Sequence, residues 1–210
     1  MEIVDTLNRL TGGHALYEVF NDWVECSAIA IQNGCTLQSK LREKREERYE
    51  QILKKYSGLE AQEIFSEAFA QLVELATEEV RDILNEIYMS SGMGNKATGQ
   101  FFTPFNISRL NAKLSLNHYK GEVIKLNEPT CGSGGMIIAC AKELQEMGYN
   151  YQNKMKVVAQ DLEFKCVYMC YLQLSLYGID AVVIQGDTLN NHIIKSSQIW
   201  RTPRNMGVLI

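Results

Sequence analysis

Residues 128–135, Glu128-Pro-Thr-Cys-Gly-Ser-Gly-Gly135, combine a carboxylate, two hydroxyls, a thiol and a glycine-rich turn in one short run. Glycines there let a ligand approach the main chain where a side chain would block it, and a following helix presents free N–H groups. Such a turn suits the adenosyl or carboxylate part of a cofactor. Further along stand Asp161, a carboxylate able to accept both hydroxyls of a ribose, and the pair Asp187-Thr188, which could border an adenine ring. Gly132-Ser133-Gly134 supplies the first two glycines of a dinucleotide fingerprint, but Ile137 occupies the third position, where helix and strand must pack closely. A phosphate-binding P-loop is excluded because no Gly-Lys-Ser/Thr follows the turn. Taken singly, the turn fits a ligand-free strand-to-helix connection, Asp161 a helix cap and Asp187-Thr188 a plain turn. Their joint placement at successive strand ends is what points to a ligand.

The elements that must position these residues are legible in the hydrophobic pattern. Glu122–Asn127, Lys156–Gln160 and Ala181–Gln185 have the composition of strands, and helical spacing fills Gly134–Met147 and Glu163–Tyr177 between them. Strands alternating with helices predict an α/β fold, a mostly parallel sheet with right-handed crossovers, and ligands bind such sheets beyond the carboxyl ends of the strands. Thr103-Pro104 predicts an N-cap followed by proline at the first helical position, opening a helix to about Leu116.

The first 95 or so residues read as all-helical. Apolar residues recur at helical spacing from Tyr17 to about Ile31 and again from Ile64 to Tyr88. Between them, Lys40–Lys55 mixes basic residues with Glu43, Glu46, Glu47 and Glu50, and the interleaved acids favour a solvated helix face over DNA contact. Small and turn-forming residues at Ser90–Asn95 mark the expected boundary, giving a helical region 1–95 and an α/β region 96–210.

Composition narrows the class. Hydrophobic residues make up 46% of the 210 and charged residues 22%, the balance of a folded chain with a real core. A net charge of -4 and a sequence pI near 5.5 exclude a general nucleic-acid coat, so any DNA contact is local or shared. The six cysteines form no Cys-x-x-Cys pair, and no apolar leader or long uncharged stretch marks export or a membrane span, which together predict a reduced, cytoplasmic setting.

Gly99-Gln-Phe-Phe-Thr-Pro104 followed by Glu128-Pro-Thr-Cys-Gly-Ser-Gly-Gly135 resembles the modification subunit of type I restriction-modification systems and related adenine-N6 DNA methyltransferases. The resemblance covers roughly Gly99 to Leu189 and implies a Rossmann-like class I methyltransferase sheet that binds S-adenosylmethionine. It implies that Gln100, Phe101, Phe102, Thr103 and Pro104 close over the methionine end of that cofactor. Thr130, Cys131, Gly132, Ser133 and Gly134 would line it, and Asp161, with Leu162 beside it, would hold the ribose hydroxyls. Asp187 and Thr188 would sit near adenine. Where the family usually has Asp, this chain has Glu128, one methylene longer, which keeps the charge and shifts the contact to the cofactor's amino group. DNA and the specificity and restriction subunits are the implied partners, with a homo-oligomer also compatible.

One part of the family pattern is missing. After its third and fourth strands the family carries Asn/Asp-Pro-Pro-Phe/Tyr, which orients the target adenine's amino group and stacks on the flipped base. None of the three prolines here, Pro104, Pro129 and Pro203, is followed by another, so no catalytic residue is assigned. Methyl transfer then requires a catalytic portion supplied from outside this sequence; the alternative is a non-catalytic methyltransferase-like module serving binding, regulation or assembly. Val208–Ile210 could begin a fourth strand, with a catalytic part removed beyond it, or could form a natural ending. Cys166 and Cys170, four apart on a helix, lack a second ligand pair, so no metal site is expected. His14, His118 and His192 are too scattered for a triad, and Trp200 with Arg201 and Arg204 reads either as a nucleic-acid contact or as an anchor packed on the sheet.

Overall fold

The computed structural model describes residues 2–36, 40–56, 59–93, 102–190 and 195–208. Five helices come first: α1 (Glu2–Asn8), α2 (Leu16–Cys35), α3 (Lys40–Lys54), α4 (Leu59–Glu78) and α5 (Ile83–Ser90). Val19, Phe20, Trp23 and Val24 form the buried stripe of α2, and Trp23 donates its indole N–H to the carbonyl of Phe65 at 3.1 Å, so its one polar atom is satisfied inside the core. On α3 the charged side chains are exposed apart from Arg45, in keeping with a solvated face. Two cations nevertheless reach back to α2. Arg48 makes a two-pronged contact with Glu25, at 2.8 Å on each prong, and Lys55 meets Asp22 at 2.9 Å.

The apolar run predicted from Ile64 to Tyr88 is broken in two. The chain leaves the helix after Glu78 and re-enters at Ile83 because Asp82 caps the new N-terminus, accepting from the Asn85 N–H at 3.4 Å. Tyr177 fixes the break, its hydroxyl donating to the Arg81 carbonyl at 2.6 Å. Both pieces bury the same stripe, which is why the periodicity ran through.

The α/β region follows as α6 (Phe105–Leu116), β1 (Ile124–Glu128), α7 (Gly135–Glu146), β2 (Met155–Asp161), α8 (Phe164–Leu176), β3 (Asp180–Gln185) and β4 (Ile199–Arg201). Sheet order is β1-β2-β3-β4, with the first two pairings parallel. One face is covered: Met155, Val157 and Ala159 are buried, whereas Lys156 and Val158 are exposed, in register with the exposed Lys125 and Asn127 of β1. The buried residues of α1–α5 and of the sheet region belong to one continuous core. In that core α2 lies against α8.

The start of α6 differs from expectation. Proline stands at the N-cap of α6 rather than inside it, and Thr103 makes no cap, because Pro104 keeps an extended ψ of 138° and leaves its carbonyl to accept from Ile107 and Ser108. Val208 closes a turn by donating to the Pro203 carbonyl at 2.9 Å, and the remainder of the strand expected at Val208–Ile210 lies outside the described residues. The fourth strand of the sheet, β4, runs antiparallel to β3 and carries Trp200. Of the two readings of Trp200, the anchor holds: it is 3% exposed, its ring meets Tyr168 and Tyr171, and the Arg45 guanidinium lies 4.7 Å above it. The expected boundary at Ser90–Asn95 falls partly on residues outside the described set, as does His192.

Candidate functional site

The turn between β1 and α7 is where the chain's sharpest backbone demands meet. Gly132 has φ of +53° and Gly134, the N-cap of α7, φ of +97°. A Cβ on Gly132 would come within 3.0 Å of the Phe102 ring, so that ring lies directly on the glycine backbone. Phe102 is backed edge-on by Tyr88 of α5, with centroids 5.4 Å apart. Asn85, also on α5, donates to the Thr103 carbonyl at 3.1 Å and so holds the next residue of the same wall.

On the opposite side Asp161, at the end of β2, accepts from the Gly132 N–H through Oδ2 at 2.9 Å and from the Glu163 N–H through Oδ1 at 3.0 Å. It therefore turns the chain into α8 through the residue ahead of that helix and pins the glycine turn at once. The turn is also tied to β2 by the backbone, the Cys131 N–H donating to the Gln160 carbonyl at 2.8 Å.

These pieces enclose a cleft of about 210 Å³ at the carboxyl ends of β1 and β2. Phe102, Thr103, Thr130, Cys131, Gly132, Ser133 and Asp161, all singled out from the sequence, line it together. Gln100 and Phe101 lie outside the described residues. Pro104, Glu128, Gly134, Leu162, Asp187 and Thr188 flank the cleft without lining it. Glu128 is half-buried, which pushes its carboxyl above the ordinary carboxylate range with Asp161 adding to the push, while the Thr130 N–H opposes it. Asp187 accepts from the Leu189 N–H at 2.9 Å and from the side chain of Asn190, and Thr188 donates to the Pro129 carbonyl at 2.6 Å. The β3 loop thus braces the β1 loop rather than opening into the cleft. Cys166 lines the cleft and Cys170 touches Gly134 from below, and both are buried thiols. Among the described residues no cluster of His, Cys, Asp and Glu could hold a metal ion.

Sequence reading missed the floor. Asp82 is fully buried and lines the cleft, accepting from Ser133 Oγ at 2.7 Å and from Gln173 Nε2 at 2.8 Å. Gln173 donates as well to the Ser133 carbonyl at 2.9 Å and accepts from the Leu84 N–H at 3.1 Å, so α5, α8 and the glycine turn share one buried network. Burial pushes the Asp82 carboxyl above its ordinary range against the opposing pull of the Gln173 and Ser133 hydrogen bonds. An aspartate just ahead of the apolar run Ile83-Leu84 is a helix-start signal that could have flagged it. Ser108 of α6, also fully buried and lining the cleft, has a hydroxyl with no partner among the described residues, and no sequence signal marks it.

A glycine turn, an aromatic wall and an acid one strand over, grouped beyond the strand ends, define an α/β protein with a cleft at the carboxyl ends of its parallel strands. A family model described as N-6 DNA Methylase matches residues 79–203, more than half the chain, and the chain belongs to that family. It is 28% identical over 106 residues to the type I restriction enzyme MpnII methylase subunit of Mycoplasma pneumoniae, a match covering 49% of this chain and 19% of that one. The chain thus spans about a fifth of that curated relative's length. Among solved structures it is similar to a Listeria monocytogenes protein described as a class I S-adenosylmethionine-dependent methyltransferase, at 11% identity and TM-score 0.47, over 92% of this chain and 55% of that one. It is also similar to the methyltransferase subunit of a type I restriction-modification system from Streptococcus thermophilus, at 18% identity and TM-score 0.45, over 92% and 40%.

Proposed function

We propose that the chain is the S-adenosylmethionine-binding part of a site-specific DNA adenine-N6 methyltransferase of the restriction-modification type. One observation carries the reading: the Phe102-Thr103 wall, the glycine turn and Asp161 converge on a single cleft beyond the ends of β1 and β2. The residues fit the cofactor. Phe102 offers an apolar face to a sulfonium or an adenine, Gly132 lets a ligand reach the main chain, and the lone pairs of Asp161 not used by Gly132 and Glu163 are free to accept ribose hydroxyls. When bound, the cofactor supplies the activated methyl group, and this chain's residues hold and orient it. DNA is the proposed substrate, with specificity and restriction subunits as partners in a cytoplasmic assembly. No described helix is long and apolar enough to cross a membrane.

A second reading has its own observation. The residues given contain no Pro-Pro pair, part of the tetrapeptide that would orient a flipped adenine, and in this reading the chain serves as a module that binds the cofactor without itself transferring the methyl group. Calorimetry with S-adenosylmethionine tests the shared part of both readings, and a tritiated-methyl transfer assay on adenine-containing DNA separates them. Binding with transfer supports the enzyme and binding without transfer the module. No binding removes both.

A further inference from the structure

Ser133 stands between two glycines with left-handed backbones, Gly132 at φ +53° and Gly134 at φ +97°. Glycine rotates more freely than any other residue, so nothing local fixes the peptide planes on either side of Ser133. Ser133 is nevertheless held twice. Its hydroxyl donates to Asp82 at 2.7 Å, and its carbonyl accepts from Gln173 Nε2 at 2.9 Å. That carbonyl shares a rigid peptide plane with the Gly134 N–H, which closes the turn by donating to the Cys131 carbonyl at 2.8 Å. Gly134 starts α7 without a side-chain cap, and Gly135 and Met136 just beyond it line the cleft. The direction in which this helix start faces therefore follows from the Ser133–Gly134 peptide. Gln173 itself is 1% exposed and does not line the cleft.

We propose that Gln173 is a positioning residue for the glycine turn, presetting the Ser133–Gly134 peptide in the form that binds S-adenosylmethionine without touching that ligand. The inference rests on the cofactor reading above and deepens it by assigning the order of the site to a buried amide on α8. Every hydrogen of that amide is used: one goes to the Ser133 carbonyl and the other to Asp82 Oδ1 at 2.8 Å, while its oxygen accepts from the Leu84 N–H at 3.1 Å. Asp82 is saturated in turn by Ser133, Gln173 and both the backbone and the side chain of Asn85, so it fixes the amide rather than meeting a ligand. Two donors and an acceptor at this reach are particular to glutamine. An ionised glutamate has no donor, methionine has the length without the hydrogen bonds, and asparagine is one methylene short. A ligand that requires one conformer of a mobile turn loses affinity in proportion to the fraction of that conformer. Removing the amide lowers the fraction and leaves every wall residue of the cleft in place.

The test combines amide hydrogen exchange by NMR with calorimetry, on the intact chain and on Gln173→Met. In the unliganded parent the Gly132 and Gly134 amides should already be protected. Exchange that is free without ligand and slows only when S-adenosylmethionine is added overturns the proposal, because the ligand and not Gln173 then orders the turn; this arm needs no variant to fold. In Gln173→Met the same two amides should exchange about tenfold faster while the buried amides of β2 keep their rates, and affinity for S-adenosylmethionine should fall about tenfold. Saturating ligand should restore the protection. A folded variant with unchanged affinity, or with exchange accelerated evenly through β2, reduces Gln173 to a core residue and leaves the cofactor reading standing. Failure of the parent to bind S-adenosylmethionine overturns the cofactor reading, and with it the role assigned to Gln173, whatever the exchange pattern.

Discussion

The main-chain N–H of Gly132 donates to the carboxylate of Asp161 at 2.9 Å, so the acid at the end of the second strand holds the conformation of the turn that follows the first. The same carboxylate accepts from the N–H of Glu163, the residue just ahead of α8. Asp161 is therefore both a candidate ribose acceptor and a structural clasp, and its replacement acts on two measurable quantities.

Replacing Asp161 by Ala should weaken S-adenosylmethionine binding by about 1.5–3 kcal/mol, the range for charge-assisted hydrogen bonds. It should also lower stability by about 1–3 kcal/mol, since the Gly132 and Glu163 N–H groups lose their acceptor. Calorimetry and denaturant unfolding separate the two. Unchanged affinity in a destabilised variant would leave Asp161 as a clasp alone.

A methyl group at position 135 would stand 2.5 Å from an Asp82 oxygen that Ser133 holds in place. Gly135→Ala should accordingly cost about 1–3 kcal/mol, the usual range for overpacking a tight site. Urea unfolding measures it. A variant as stable as the parent would mean that the network shifts freely, contrary to its burial.

Trp200→Ala tests the anchor between β4 and the helices. The side chain is 3% exposed and packs on Tyr168, Tyr171 and Arg45, so truncation should cost about 3–5 kcal/mol, in line with large aromatic deletions. A loss under about 1 kcal/mol by denaturant unfolding would place Trp200 outside the cooperative core, since most surface substitutions fall below that.

Asp82 gives the protein a pH signature. Its carboxyl holds its proton to higher pH in the folded chain than in the unfolded one, because burial outweighs the hydrogen bonds from Gln173 and Ser133. In that window the folded state binds more protons, so this group's contribution to stability declines as pH rises above the ordinary carboxylate range, about pH 4. Asn does not titrate. The melting temperature of Asp82→Asn relative to the parent should thus increase from pH 4 toward neutrality, and parallel curves would contradict the raised carboxyl.

Much of the fold is legible in the sequence because hydrophobic spacing follows burial directly. The three parallel strands and the helices α7 and α8 fall within a residue or two of their expected bounds. What escaped is the work of single polar residues. Asp82 breaks an apolar stripe without interrupting its period, so the stripe alone reads as one helix. The strand at Ile199–Arg201 is too short to show a pattern, and its place depends on Trp200 finding Tyr168 and Tyr171 across the core. At the site, the lining residues from Phe102 to Asp161 follow from turn chemistry and strand ends. Asp187 and Thr188 follow the same rule, yet their side chains close on their own loop and on Pro129, since a short polar residue at a strand end can satisfy its neighbours as readily as a ligand.

Helix α5 touches the cleft twice, at its floor through Asp82 and at its wall through Asn85. A fragment excised to begin at residue 96 would keep every glycine of the turn and still lose both supports, leaving Ser133 without its acceptor and the Thr103 carbonyl without its donor. Trimming at the seam suggested by composition would therefore yield a scaffold whose cleft has come apart, and a soluble but silent fragment would say nothing against the parent chain.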